Sequence, residues 1–284
     1  MRALAEFIMR GRPQACLVAL VGVVVPFIGP ATVGLVTLRK GGFEGALVAL
    51  WASLPFFVSY FAGQSNPFLA VMSIIALVNI LLVGNVLRAT ASWNLTLVAD
   101  ALTAVGLALA AGIVFQSDLT ALMSDLDEIF ASASQQLEQK FVLPPASGIL
   151  AWVAWMNALS ALLGLIVARW WQALLFNPGG FQEEFHGIRL ETKVSVGCLV
   201  MVILGFTVLS EFQFWLQLAS LPLIVCGLSL LHYSVKFKKA GGHWLVLIYL
   251  GLMLGPVMSG LLVALGAIDS VLNLRARLVT DSQG

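Results

Sequence analysis

Residues 14–38 read QACLVALVGVVVPFIGPATVGLVTL, an uncharged run interrupted near its middle by Gly22, Pro26, Gly29 and Pro30. About 20 helical residues, each rising ~1.5 Å, cross the ~30 Å hydrocarbon core of a bilayer. The run is therefore long enough to span once. Proline removes a backbone donor and clashes with the preceding helical turn, so Pro26-Phe27-Ile28-Gly29-Pro30 argues for a break instead. Whether the chain crosses here or turns back decides how everything after it is threaded.

The basic residues decide between the two threadings, because cytoplasmic loops collect Lys and Arg while Asp and Glu count for little. With 14–38 as one crossing, the better orientation divides the 15 basic residues 9 to 6. With a broken hairpin, Arg2, Arg10, Arg12, Arg39, Lys40, Arg88, Arg169, Arg189, Lys193, Lys236, Lys238 and Lys239 share one side and only Lys140, Arg275 and Arg277 lie opposite, a division of 12 to 3. The sequence thus predicts a re-entrant or sharply broken first element with the N-terminus in the cytoplasm, followed by seven crossings. Non-helical backbone at membrane depth needs protein or a water-filled cavity to receive its polar groups. The break is expected to be buried in the bundle or to line a cavity.

Composition supports the membrane reading independently. The 284 residues are 60% hydrophobic and 10% charged, against roughly 45–50% and about 25% in soluble domains. The expected fold class is all-α, a polytopic transmembrane helical bundle of about seven to eight membrane elements, forming a single integral membrane domain over 1–284. A net charge of +1 excludes a nucleic-acid partner that must neutralise many phosphates. Cys16, Cys198 and Cys226 lie in apolar runs without CxxC spacing, so no disulfide framework or thiolate metal site is indicated. Arg2, Arg10 and Arg12 precede the first apolar run as in a signal peptide, but no small-x-small site follows, and the segment reads as retained.

The seven crossings are expected near 43–63, 67–87, 93–116, 148–176, 192–209, 213–234 and 244–267, separated by turn sequences such as Gly41-Gly42, Asn66-Pro67, Pro144-Pro145 and Gly241-Gly242. Between the third and fourth, 117–146 carries Asp118, Asp125, Asp127, Glu128 and Glu138 with Leu119, Leu122, Leu126, Ile129 and Phe130 at helical spacing. It reads as an amphipathic segment at the outer surface, either a connector or a lid over a cavity. The last crossing contains Gly251, Gly255, Pro256 and Gly260. Paired interrupted segments at the two ends of a chain are a pointer to a transporter-type site. Gly251-xxx-Gly255-xxx-Ser259 reads equally as a close-packing face.

Ionisable and amide side chains inside spans are expensive there, so they are functional or paired. Asp100 stands out as an acidic residue well inside a span. Counting from Arg88 and Arg169 at ~1.5 Å per residue puts Asn79, Asp100 and Asn157 at one depth, a polar layer that Thr96, Thr103 and Ser160 can join. Such a layer serves either as a cation or proton relay and ligand anchor, or as interhelical glue. No HExxH, GxSxG, P-loop or dinucleotide motif is present, so neither an enzyme nor a metal or cofactor is expected. His186, His232 and His243 fall near span boundaries.

The densest pattern follows Arg169-Trp170-Trp171: Asn177-Pro178-Gly179-Gly180 forces a turn, after which Phe181, Phe185 and Ile188 form the apolar face of a cytoplasmic interfacial helix over 178–190. Asn177, Pro178, Gly179, Gly180, Phe181 and Phe185 are candidates for docking a membrane partner. Together with FIMRGRPQA at 7–15, the run NPGGFQEEFHGIRL at 177–190 resembles the YybS-type family of bacterial polytopic membrane proteins, and the resemblance extends over nearly the whole chain. That resemblance implies a bacterial inner membrane and a distant similarity to the S components of energy-coupling-factor vitamin transporters and to a rod-shape morphogenesis protein. S components meet their coupling subunit through an Ala-xxx-Ala face on the first helix, a spacing matched here by Ala15 and Ala19. Two functions follow as expectations: a bundle that binds or transports a small polar or amphipathic molecule, or a non-catalytic scaffold in envelope or cell-shape assembly.

Overall fold

The protein is described by a computed structural model covering residues 1–22, 24, 25, 27–137 and 140–281, the side chains of the last three excepted. Pro26 of the expected break and Glu138 of the acidic segment lie outside the described residues. The chain forms helices α1 (Arg2–Arg10), α2 (Arg12–Val21), α3 (Ile28–Lys40), α4 (Gly42–Phe61), α5 (Pro67–Thr90), α6 (Trp93–Val114), α7 (Gln116–Gln136), α8 (Ala146–Phe176), α9 (Gly180–His186), α10 (Thr192–Thr207), α11 (Gln213–Leu216), α12 (Ser220–Phe237), α13 (His243–Leu254), α14 (Pro256–Leu272) and α15 (Leu274–Asp281). Two compact units result: Met1–Ala91 with Ala99–Phe176, and Ser92–Val98 with Asn177 onward.

In the first unit the uncharged run is broken where its prolines and glycines stand. α2 ends at Gly22 and α3 begins at Ile28, with Phe27 in the left-handed region at φ 68° and Gly29 N donating to Gly22 O at 3.3 Å. Pro30 falls in the first turn of α3, where a missing N–H leaves no helical bond unmade. The two arms are antiparallel. Arg12 at the start of α2 donates through Nε to Glu44 Oε2 at 2.8 Å, just beyond the end of α3, and Arg88 Nη1 donates to Thr37 O at 3.2 Å. The Arg39 guanidinium lies 4.0 Å from the centre of the Phe176 ring. One end of this unit thus gathers Arg12, Arg39, Lys40 and Arg88, as the hairpin threading requires.

α3 is buried all round, packed among α2, α4, α5 and α8. Helices in lipid gain little from the hydrophobic effect against one another, so close approach depends on small residues. Gly34 faces Ala168 and Ile80, and a methyl on Gly164 would come within 2.8 Å of Pro30. From Ala99 onward α6 buries Asp100, Ala104, Ala108 and Ala111 along one stripe and leaves Leu102, Leu109 and Ile113 on the lipid-accessible side. α7 tucks in Leu119 and Leu122, while Ile129, expected on the same face, points outward at 59% exposure. Ile129 stands two turns beyond Leu122 on the same stripe, which is covered only near the start of α7.

In the second unit, Thr192 Oγ1 donates to Ser270 O at 3.0 Å, and Arg275, just beyond α14, donates to Ile188 O at 2.9 Å and Ser229 Oγ at 3.0 Å. The start of α10 and the C-terminal ends of α12 and α14 therefore share one end. α12 and α14 run in the same direction and touch backbone to backbone: a methyl on Gly227 would meet Leu262 O at 2.2 Å, and one on Gly266 would meet Leu223 O at 2.1 Å. Between them α13 leads away, fixed by His232 Nε2 and Tyr249 Oη at 2.8 Å, and stops at Gly255.

This corrects the expected crossing over 244–267. Gly255 is extended before Pro256, the conformation that proline imposes on its predecessor, and the two short arms form a second broken hairpin. Gly255 is accordingly a break and not part of a packing face, although Gly251 does contact Met258 across it. Arg275 leaves the minority group of basic residues and lies beside His186 and Lys236, at the end it was expected to oppose. Among the described residues, five helices are long and apolar enough to cross a membrane: α4, α5, α6, α8 and the segment Ser210–Phe237. α10, at 16 residues, is shorter than the expected 192–209 crossing, and the count of seven is not confirmed. The chain is a helical membrane protein.

Candidate functional site

The expected polar layer resolves into two levels. Asn79 on α5 and Asp100 on α6 are both fully buried, with Asn79 Nδ2 donating to Asp100 Oδ1 at 2.8 Å. The Thr103 hydroxyl lies 2.6 Å from Asn79 Oδ1 and 2.7 Å from Ala99 O, so its single proton is shared between an intrahelical and an interhelical acceptor. Asp100 Oδ2 is buried with no hydrogen-bond partner. The arrangement is a short, closed interhelical link with one idle acceptor.

Asn157 does not join it. Its Nδ2 donates to Met72 O at 3.2 Å, seven residues from Asn79 and so ~10 Å along α5. The depth count misplaced it because Arg169 is not at the end of α8: the helix continues to Phe176, and Arg169 Nη1 bonds Gln172 Oε1 at 2.6 Å within it. Asn157 instead helps line a pocket of ≈ 240 Å³ together with Ser73, Ser160, Phe56 and the break residues Gly22, Val25, Phe27, Gly29 and Pro30. This pocket lies where the helical ladder of the first element is interrupted. Its lining carries an amide and two hydroxyls on an otherwise apolar wall and no ionisable group, so it suits a small uncharged molecule with one or two hydrogen-bonding groups. Ala15 and Ala19 of α2 are buried against their own unit.

The docking candidates lie in the second unit. Asn177, Pro178 and Gly179 are exposed, and Gly179, at φ 91°, occupies a conformation that L side chains rarely adopt. A methyl on Gly180 would strike the Asn177 side chain at 2.1 Å. α9 then covers only Gly180–His186, shorter than the expected 178–190. Its apolar side is spent within the unit: Phe185 is buried with its ring centre 5.3 Å from that of His232, Phe181 leans on Phe185 at 5.7 Å, and Ser229 Oγ donates to Phe185 O at 2.5 Å.

The hub of this arrangement is Arg275, which the basic-residue division places on the outer side with Lys140 and Arg277. It donates to the carbonyls of His186 and Ile188, to Ser229 Oγ, and pairs with fully buried Asp269 at 3.1 Å. Burial lowers the Arg275 pKa, and the carboxylate of Asp269 opposes that shift. The pairing depends on Asn273, left-handed at φ 49°, whose N–H caps Asp269 O and folds α15 back over α14. Left-handed Asn two residues before Arg is the only sequence signal, and it is faint. Burial also lowers the His186 pKa, with Lys236, His232 and Arg275 adding to the effect.

Among the described residues no group of three His, Cys, Asp or Glu side chains is placed to hold a metal ion. No family model, curated protein or solved structure matches the chain.

Proposed function

We propose that this membrane protein binds a small, uncharged polar or amphipathic molecule in its first unit, at the pocket opened by the break between α2 and α3, and that binding serves passage of that molecule across the bilayer. The observation that carries the reading is the coincidence of the interrupted helix with a ≈ 240 Å³ pocket bearing Asn157, Ser160 and Ser73. Interrupted helices free backbone groups at the depth where a ligand can meet them. The buried Asn79–Asp100 link lies apart from this pocket and holds α5 to α6 beside it. The positive-inside rule, applied to the end bearing Arg12, Arg39, Lys40 and Arg88, turns that end and the N-terminus toward the cytoplasm. A bacterial inner membrane and an S-component-like role follow from the resemblance at 7–15 and 177–190. The scaffold reading has less support, since the apolar side of α9 packs on its own chain.

The test is native mass spectrometry of the purified full-length protein. A bound molecule is expected on the wild type and lost from Asn157→Leu, which fills the pocket without touching the Asn79–Asp100 link. Protein that carries nothing, together with an Asn157→Leu variant that is unchanged in every transport or growth assay, would sink the proposal.

A further inference from the structure

Independently of the first unit, the second has an open cleft of ≈ 470 Å³ lined by Glu183, His186, Gly187, Tyr233, Lys236 and Phe237. Lys236 and Phe237 close the apolar segment Ser210–Phe237, and Lys238 and Lys239 follow directly. The cleft therefore sits at the end of a span, at the level of lipid headgroups. Its charges are balanced and separate. Lys236 Nζ donates to Gln182 Oε1 at 3.0 Å, and among the described residues neither Glu183 nor Lys236 takes part in an ion pair. The nearby guanidinium of Arg275 is committed to carbonyls, Ser229 and Asp269. His186, its pKa lowered by burial, adds a hydrogen-bonding group that is neutral near pH 7. Tyr233 and Phe237 stack at 5.8 Å with 16° between their planes and form a flat aromatic wall.

A purely anionic group entering this cleft meets the Glu183 carboxylate, and a purely cationic one meets Lys236. A dipolar group satisfies both. We propose that the cleft binds phosphoethanolamine, the zwitterionic headgroup of phosphatidylethanolamine, with the phosphate on Lys236 and the primary ammonium on Glu183 beside the aromatic wall. A primary ammonium has three N–H donors for a carboxylate and the trimethylammonium of choline has none, so the site should separate the two headgroups. The same chemistry exists as a free molecule and as a lipid headgroup, and the experiment separates the sources.

The full-length protein is reconstituted in phosphatidylcholine nanodiscs containing equal minor fractions of phosphatidylethanolamine and phosphatidylglycerol, and retained lipids are identified by native mass spectrometry. Phosphatidylethanolamine is expected to be retained over both others, with retention falling about tenfold in Glu183→Gln and in Lys236→Gln, the loss of one charge-assisted hydrogen bond. Lipid-free protein is titrated in parallel with phosphoethanolamine and with phosphocholine. Glu183-dependent binding of free phosphoethanolamine assigns the site to the soluble molecule, and lipid retention without it assigns the site to the headgroup. Both side chains are at the surface, so the variants should melt as the wild type does. Glu183→Gln should also abolish the preference for ethanolamine over choline, which a folding defect would not do selectively. Phosphatidylglycerol retained as well as phosphatidylethanolamine, or retention of neither with no binding of free phosphoethanolamine, would overturn the proposal.

Discussion

Gly266→Ala is the sharpest test of how the second unit is held together. The added methyl would lie 2.1 Å from Leu223 O and 3.0 Å from Gly227 N. Carbon and carbonyl oxygen approach to about 3.3 Å at closest, so α12 and α14 must separate by about an ångström at their crossing. The obstacle is helix backbone, which cannot rotate aside as a side chain would, and the separation loosens the packing of Cys226, Leu230, Leu262 and Val263, all buried. Overpacking of this kind costs about 1–3 kcal/mol, occasionally more. The better helix propensity of alanine returns up to about 1 kcal/mol. A net loss of about 1–2 kcal/mol is expected. Gly227→Ala, with its methyl 2.2 Å from Leu262 O, should behave alike. Gly197 and Gly260 have nothing within 4 Å of an added methyl, so their alanine variants should be neutral or slightly stabilised. Unfolding of the purified protein in mild detergent, followed by circular dichroism against increasing dodecyl sulfate, measures the difference. A Gly266→Ala protein within about 0.5 kcal/mol of Gly260→Ala would refute the backbone contact.

Three further predictions concern the Asn79–Asp100 link, His186 and the second hairpin. Asp100→Ala strands Asn79 Nδ2 in a buried site and should cost about 1–3 kcal/mol, whereas Asp100→Asn keeps an oxygen acceptor and should cost less; a double-mutant cycle with Asn79→Ala should give a coupling of about 0.6–1.7 kcal/mol, and no coupling counts against the link. Because the folded-state pKa of His186 is lowered, the unfolded chain takes up that proton first. Its contribution is therefore fully present above about pH 6.5 and is lost as pH falls below that value toward the lower folded one. His186→Gln should shrink the drop in melting temperature between pH 7 and pH 5, and an unchanged drop would remove His186 from the explanation. The broken hairpin of α13 and α14 predicts that reporters fused after Arg189 and after Arg277 read the same side of the membrane, where a single crossing over 244–267 would make them differ.

The residues that could be read from the chain were those whose effect is local. Gly22, Gly29 and Pro30 mark the break in the first element because they act on the helix in which they stand, and the division of basic residues then selected the hairpin. The Asn79–Asp100 link was legible because polar groups in apolar spans are few and must meet. Contacts made by the second unit's tertiary arrangement were not legible. Gly227 and Gly266 have no second glycine one turn away, while of the conspicuous glycines Gly255 makes the break, Gly260 is open and Gly251 meets only the Met258 side chain. Pro256 directly after Gly255 carried the correct signal, but the run of small residues around it also fits a packing face. Arg275 was assigned to the far side because its partners, the carbonyls of His186 and Ile188, are backbone groups that composition does not reveal. Asn157 falls at another level because Arg169, from which its depth is counted, lies inside α8 and not at the membrane boundary.

The central claim is that the first uncharged run turns back within the membrane, and reporter fusions after Lys40 and after Lys140 test it most directly. The account predicts a fluorescent cytoplasmic reporter and inactive alkaline phosphatase after Lys40, with active phosphatase after Lys140. Active phosphatase after Lys40 would mean that residues 14–38 cross once, and would contradict the hairpin and the pocket built on it.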